Sequence, residues 1–236
     1  MAYSDFDLTK VRKEFGLQID EQPDLFADVP PVQPSVALAS TLAETARLAI
    51  AINTETARSE LLITPVLLEI WRQAQPHISL FSGTEFNVDA ERGLTGYCDY
   101  ILSRSKEQLT VNAPVVMIVE AKNENIKGGL GQCVAEMIAA QIFNAREGNC
   151  IDTIYGAVTS GEIWKFLTLV GSVVSIDLSD YYIVRDVHNM MGILCQAVGV
   201  SVVSTVEPSA PFPLARRRRR RAQPFPRVCD GGGAPA

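Results

Sequence analysis

The sequence predicts a single α/β domain: a mixed central sheet flanked by helices, in the order α-β-β-β-α-β, with extra strands and a C-terminal helix. Three observations carry this prediction. The run Val115-Val116-Met117-Ile118-Val119 is apolar and rich in β-branched residues, and it ends abruptly in Glu120-Ala121-Lys122. A continuous apolar run of this length reads as a strand covered on both faces. Before it lie two segments with apolar residues at helical spacing, and after it helix and strand patterns alternate again. With 236 residues, 47% of them hydrophobic, the chain is long enough for one substantial core.

The elements follow in order. A short helix is predicted near Leu8 to Phe15. The rest of residues 1–35 reads as a segment and linker ending in Pro30-Pro31-Val32-Gln33-Pro34. From Ser35 to Asn53, Leu38, Leu42, Ala46, Leu48, Ala49 and Ile52 recur at helical spacing. A second helix is predicted from Thr56 to Gln75, bent or split by Pro65. Strands are predicted over Ile78 to Val88, Gly96 to Leu102 and Val115 to Lys122, the last two forming a hairpin across the polar loop Ser103 to Pro114. The glycines of Lys127-Gly128-Gly129-Leu130-Gly131 predict a turn that opens a helix from Gln132 to Arg146. Strands over Thr153 to Val158, Ile163 to Leu169 and Val173 to Leu178, and a helix over Asn189 to Val198, complete the domain, residues 36–203. Residues 204–236 are rich in Pro, Arg and Gly and read as a disordered tail.

Composition narrows the chemistry. The only histidines are His77 and His188, far apart in the chain, which removes most zinc sites and histidine-based nuclease motifs. No Gly-x-Ser-x-Gly occurs, which argues against a serine hydrolase. The five cysteines are scattered and form no Cys-x-x-Cys pair, which suits a reducing setting. The opening MAYSDFDLTK has no apolar signal core, and no stretch is apolar enough to span a bilayer. A cytoplasmic protein with no membrane association is expected. Arg216 to Arg221 form an unbroken basic run, yet residues 1–210 carry 14 basic and 26 acidic side chains, a balance of −12. A polyanion site would therefore have to be local, or a partner or second copy would have to supply contacts.

Polar residues stand where polarity needs a reason. In a strand, alternate side chains share a face, so Glu120 and Lys122 point the same way. Asp99 interrupts the otherwise apolar Tyr97-Cys98-Asp99-Tyr100-Ile101-Leu102 on the partner strand. Glu60 precedes the first of these three strands on a helix. Gln132 opens the helix after them, with Glu136 one turn on, on the same face. A carboxylate that holds a divalent cation, beside an ammonium group that meets a phosphate, is the chemistry of a metal-dependent phosphodiesterase.

This order and these residues, over Glu60 to Val158, resemble the PD-(D/E)xK, or restriction-endonuclease-like, nuclease superfamily. The phrases SELLITPVLLE and GLGQCVAEM resemble a bacterial branch of it. The resemblance implies a restriction-endonuclease-like core that hydrolyses nucleic acid, DNA above all, with Mg²⁺ or Mn²⁺. It implies that Asp99, Glu120 and the carbonyl of Ala121 bind the cation, with Glu60 completing the site through water. It also implies that Lys122 orients or activates the attacking water, and that Gln132 matches a glutamine found in several branches. Cys98 stands where the name motif has proline.

Two other readings bear on the same residues. Asp99, Glu120 and Lys122 also allow a plain ion pair at a strand end, in a catalytically silent module that binds or assembles. Gly129-Leu130-Gly131 follows a strand, as in nucleotide-binding turns, but lacks the third glycine at the right spacing. The arginine run could grip phosphates or remain a solvated tail.

Overall fold

The computed structural model describes residues 1–200. Helices α1 (Leu8–Phe15), α2 (Val36–Ile52), α3 (Glu55–Arg58), α4 (Thr64–Ala74), α5 (Ile126–Arg146) and α6 (Ile183–Val198) surround one sheet. Its strands are β1 (Gln18–Gln22), β2 (Ser79–Glu85), β3 (Tyr97–Ser103), β4 (Val115–Ala121), β5 (Ile154–Thr159), β6 (Ile163–Val170), β7 (Val173–Asp177) and β8 (Tyr181–Tyr182). They run in the order β1-β7-β6-β5-β4-β3-β2, with β8 on β6. The sheet is mixed: β4 and β5 are parallel, as are β1 and β7, and the other pairs are antiparallel.

Two apolar cores lie on the two faces. One includes Leu42, Leu67 and Ile70 of the first helices, Met117 and Val119 of β4, and Met190 and Leu194 of α6. The other includes Tyr3, Phe6, Val11, Ile118, Val134 and Ile138, from the N-terminus, α1, β4 and α5. All seven residues of β4 are buried, as its unbroken apolar run predicts for a central strand. Among the described residues, no helix is long and apolar enough to cross a membrane.

Of the structure's departures from the sequence reading, four matter most. First, residues read as linker contribute β1, which pairs with β7 at the sheet edge. Its sequence, Gln-Ile-Asp-Glu-Gln, is too polar to announce a strand, and an edge position tolerates that polarity. Second, Pro65 neither splits nor ends its helix. The turn Ser59–Ile63 widens to a π-helix that joins α3 to α4. Proline cannot donate to the Leu61 carbonyl, and Thr45 Oγ1 donates to that carbonyl instead, at 2.7 Å. Third, the glycines 128, 129 and 131 lie inside α5, which starts at Ile126 behind an Asn125 cap. Fourth, α6 begins at Ile183, six residues before the predicted start. The expected tail, residues 204–236, lies outside the described residues.

The α5 glycines are there for close approach. A Cβ on Gly131 would stand 2.2–2.5 Å from backbone atoms of Phe6 and Asp7, where α1 crosses α5. Gly131→Ala is therefore expected to lower stability by about 1–3 kcal/mol, through overpacking against backbone that cannot yield. Denaturant unfolding measures this, and an unchanged midpoint would contradict it. A Cβ on Gly129 would meet Val158 at 2.7 Å and the Lys122 stem at 3.0 Å. The N-terminus of α5 is thereby drawn down onto the end of β4, where Lys122 stands.

Candidate active site at the end of strand β4

Strands β3 and β4 pair through Ile101–Ile118 and Tyr100–Val119, and their pairing ends there. Beyond that point β4 remains held by β5, through Glu120–Val158, Ala121–Thr159 and the Lys122 N–H bond to the Thr159 carbonyl. On the β3 side, the Asp99 carboxylate accepts the Ala121 N–H at 2.7 Å. The carboxyl groups of Asp99 and Glu120 are near enough for the Asp99 charge to raise the Glu120 carboxyl. The hairpin thus delivers two acids and one backbone peptide to the point where the strands part.

Glu120 is 1% exposed. Its Oε1 meets Lys122 Nζ at 2.5 Å, and its Oε2 has no hydrogen-bond partner. Lys122 Nζ also donates to Gln132 Oε1 at 3.2 Å, and Gln132 Nε2 donates to Glu136 Oε1 at 3.0 Å. Glu136 is fully buried, and its Oε2 is likewise unpartnered. Four buried side-chain oxygens lack partners among the described residues, and three of them belong to Glu120, Asn123 and Glu136. Such groups are costly unless something satisfies them, and these three lie on β4, on the turn after it and on α5.

The electrostatics follow from this crowding. Burial first, and then the Asp99 charge, push the Glu120 carboxyl up to about 8, against the opposing pull of Lys122. Burial, and then the Glu120 charge, raise Glu136 well above the carboxylate range. Burial alone would lower the Lys122 pKa, but Glu120, followed by Asp99 and Glu55, outweighs it and raises it. Cys98, beside Asp99, is fully buried. Burial and then the Glu136 charge raise its thiol, so it packs rather than attacks.

A carboxyl whose pKa rises on folding stabilises the folded state at low pH, and this contribution is lost as pH climbs through the folded value. For Glu120 the window runs from about 4.5 to about 8. Without divalent cations, the melting temperature should fall across that window, and Glu120→Gln should fall less steeply. Melting curves at several pH values check this; equal slopes for the two proteins would contradict it.

The structure gathers Asp99, Glu120, Ala121, Lys122 and Gln132 into one cluster. Glu60 is exposed on the π-helical turn and makes no hydrogen bond or ion pair to these residues. The helical acid whose charge acts on Lys122 is Glu55, at the start of α3. Its only signal in the sequence is a first-turn position after the Thr54 cap, which is common to many helices. The link from Gln132 to Glu136 is implicit in their i, i+4 spacing. The Asn123 oxygen carries no sequence signal.

Among the described residues, no group of three or more His, Cys, Asp or Glu side chains is arranged to hold a metal. What the site offers is two carboxylates at one peptide, with a free buried oxygen on Glu120. That donor set suits a hard cation such as Mg²⁺, which takes one or two carboxylates and keeps its remaining positions for water and phosphate. A cavity of about 530 Å³ lies elsewhere, lined by His77, Arg104, Lys106 and Val200 among others. It contains none of the clustered residues and lies beyond the opposite end of β3.

No family model matches this chain, and no curated protein matches it.

Proposed function

We propose that this chain is a metal-dependent nuclease that hydrolyses phosphodiester bonds in nucleic acid, with DNA the preferred substrate. The observation that carries the reading is the buried, unpartnered Glu120 Oε2 beside Asp99, where β3 and β4 part. The order of helix, three antiparallel strands, helix and parallel strand around this point supports a restriction-endonuclease-like core. Asp99, Glu120 and the Ala121 carbonyl would hold Mg²⁺ or Mn²⁺. When bound, the cation lowers the pKa of a coordinated water and offsets charge on the phosphate.

The chain's own residues have separable tasks. Asp99 and Glu120 supply the negative charge that would hold the cation. Lys122 holds a fixed ammonium group beside them, where negative charge gathers in the transition state. Gln132 holds that ammonium from the α5 side. Closing the site from behind, Gly129 lets α5 approach the Lys122 stem and exclude water. The protein works in the cytoplasm in this reading, and a partner or second copy extends its DNA contacts, since the body is acidic.

A second reading, a silent module for binding or assembly, is favoured by one observation. Lys122 is already satisfied by Glu120 and Gln132, as in a structural ion pair. A nuclease assay separates the two. Single-stranded, duplex and branched DNA and RNA should be offered with Mg²⁺, Mn²⁺ or EDTA. Cleavage that needs the metal is expected; no cleavage of any substrate with either metal would leave the silent module.

A further inference from the structure

Glu136 is the group at this site that the proposed chemistry leaves unused. It is fully buried in α5, and burial of a carboxyl at that position costs stability that an apolar side chain would not. Its Oε1 accepts from Gln132 Nε2, and Gln132 Oε1 in turn accepts from Lys122 Nζ. The Gln132 amide therefore has a defined direction. Its oxygen must face the ammonium group, which only donates, and its NH₂ must face an acceptor. Glu136 is that acceptor.

We infer that Glu136 is a positioning residue, which holds the Gln132 amide in the one orientation that fixes the Lys122 ammonium beside Glu120. The inference rests on the nuclease reading for its consequence in catalysis, but not for its geometry. Without Glu136, the Gln132 NH₂ is left unpartnered on the buried side of α5, a cost that the amide escapes by swinging toward solvent. Gln132 is half-buried, so the swing is open to it. Lys122 then keeps Glu120 alone, and its Nζ gains freedom. Burial, with the neighbouring Glu120 charge, favours the protonated Glu136 carboxyl, and such a carboxyl still accepts through its carbonyl oxygen. Glu136→Gln preserves both that oxygen and the shape.

The test compares Glu136→Met, Glu136→Gln, Gln132→Met and the double variant Glu136→Met/Gln132→Met. Glu136→Met should lower kcat about 10- to 100-fold with KM little changed, the scale of a small misplacement of a reacting group. Gln132→Met should do the same, and the double variant should be no worse than either single one, because both act through one contact. Glu136→Gln should stay near the wild-type rate. Glu136→Met should also melt at the wild-type temperature or above, since a buried polar group is replaced by an apolar one of similar length. Glu136→Ala takes its place should Met fail to fold.

The Nζ resonance of Lys122, assigned by its loss in Lys122→Ala, reads the positioning without any activity. It should move alike in Glu136→Met and Gln132→Met and stay in place in Glu136→Gln. A wild-type protein that cleaves nothing would end the nuclease reading, and the Lys122 signal would still decide this inference. A Lys122 signal unmoved by Glu136→Met, or additive losses in the double variant, would overturn it.

Discussion

Lys122→Ala is expected to lower the cleavage rate by about two to three orders of magnitude. Lys122 is the only cation in contact with the Asp99–Glu120 pair among the described residues, and its Nζ is held by Glu120 at 2.5 Å and by Gln132 at 3.2 Å. A charge held so firmly needs no reorganisation when negative charge develops on a phosphate, which is where fixed charges act most strongly. The fold should survive, because Lys122 lies past the end of β4 and its backbone bond to Thr159 does not involve the side chain. Mg²⁺ should still bind, since the ligands remain. Its apparent affinity near neutral pH should weaken modestly, because losing Lys122 removes the group that holds the Glu120 pKa down. That weakening should recover as pH rises and Glu120 ionises. Single-turnover cleavage and calorimetric Mg²⁺ titrations at two pH values measure both effects. Cleavage at the wild-type rate would remove Lys122 from the chemistry and leave it a structural ion-pair partner of Glu120.

Asp99→Asn is expected to abolish cleavage at low Mg²⁺, by roughly two orders of magnitude or more, while leaving the apo protein as stable as before or more so. Asparagine keeps the shape, and its side-chain oxygen can still accept the Ala121 N–H that Asp99 binds at 2.7 Å. What it removes is a charge, the chief neighbouring influence that raises the Glu120 carboxyl. In Asp99→Asn, Glu120 should titrate closer to an ordinary glutamate, and the loss of melting temperature between about pH 4.5 and 8 should shrink. Stability and activity should therefore move in opposite directions, a pattern expected of a site built for a cation rather than for the fold. Cleavage assays across Mg²⁺ concentrations, with melting curves of the same samples, decide the point. If Asp99→Asn destabilises the apo protein at pH 8, Asp99 is structural.

The cluster was legible to different depths. Asp99, Glu120 and Lys122 could be brought together from strand alternation and the hairpin alone. Their distances and the buried, unpartnered oxygens could not. Gln132 and Glu136 share a helical face by spacing, but the direction of the amide between them depends on both of its partners at once. Glu60 and Glu55 look alike in sequence, each an exposed acid near the start of a helical segment. Both are exposed in the structure, and it is the Glu55 charge, not that of Glu60, that acts on Lys122.

The sequence by itself determined the class of the fold, the six central strands and helices α1, α2 and α5 in outline. Those elements carry their own periodicity, and periodicity is a local property written in adjacent residues. Only the tertiary structure decided the edge strand β1, the unbroken passage through Pro65 and the helical state of the α5 glycines. Each is settled by a partner distant in the chain: β7 for the polar strand, the Thr45 hydroxyl for the Leu61 carbonyl, and the Asp7 backbone and Lys122 stem for Gly131 and Gly129. Local preference was weak or contrary at all three, and packing between remote segments overrode it.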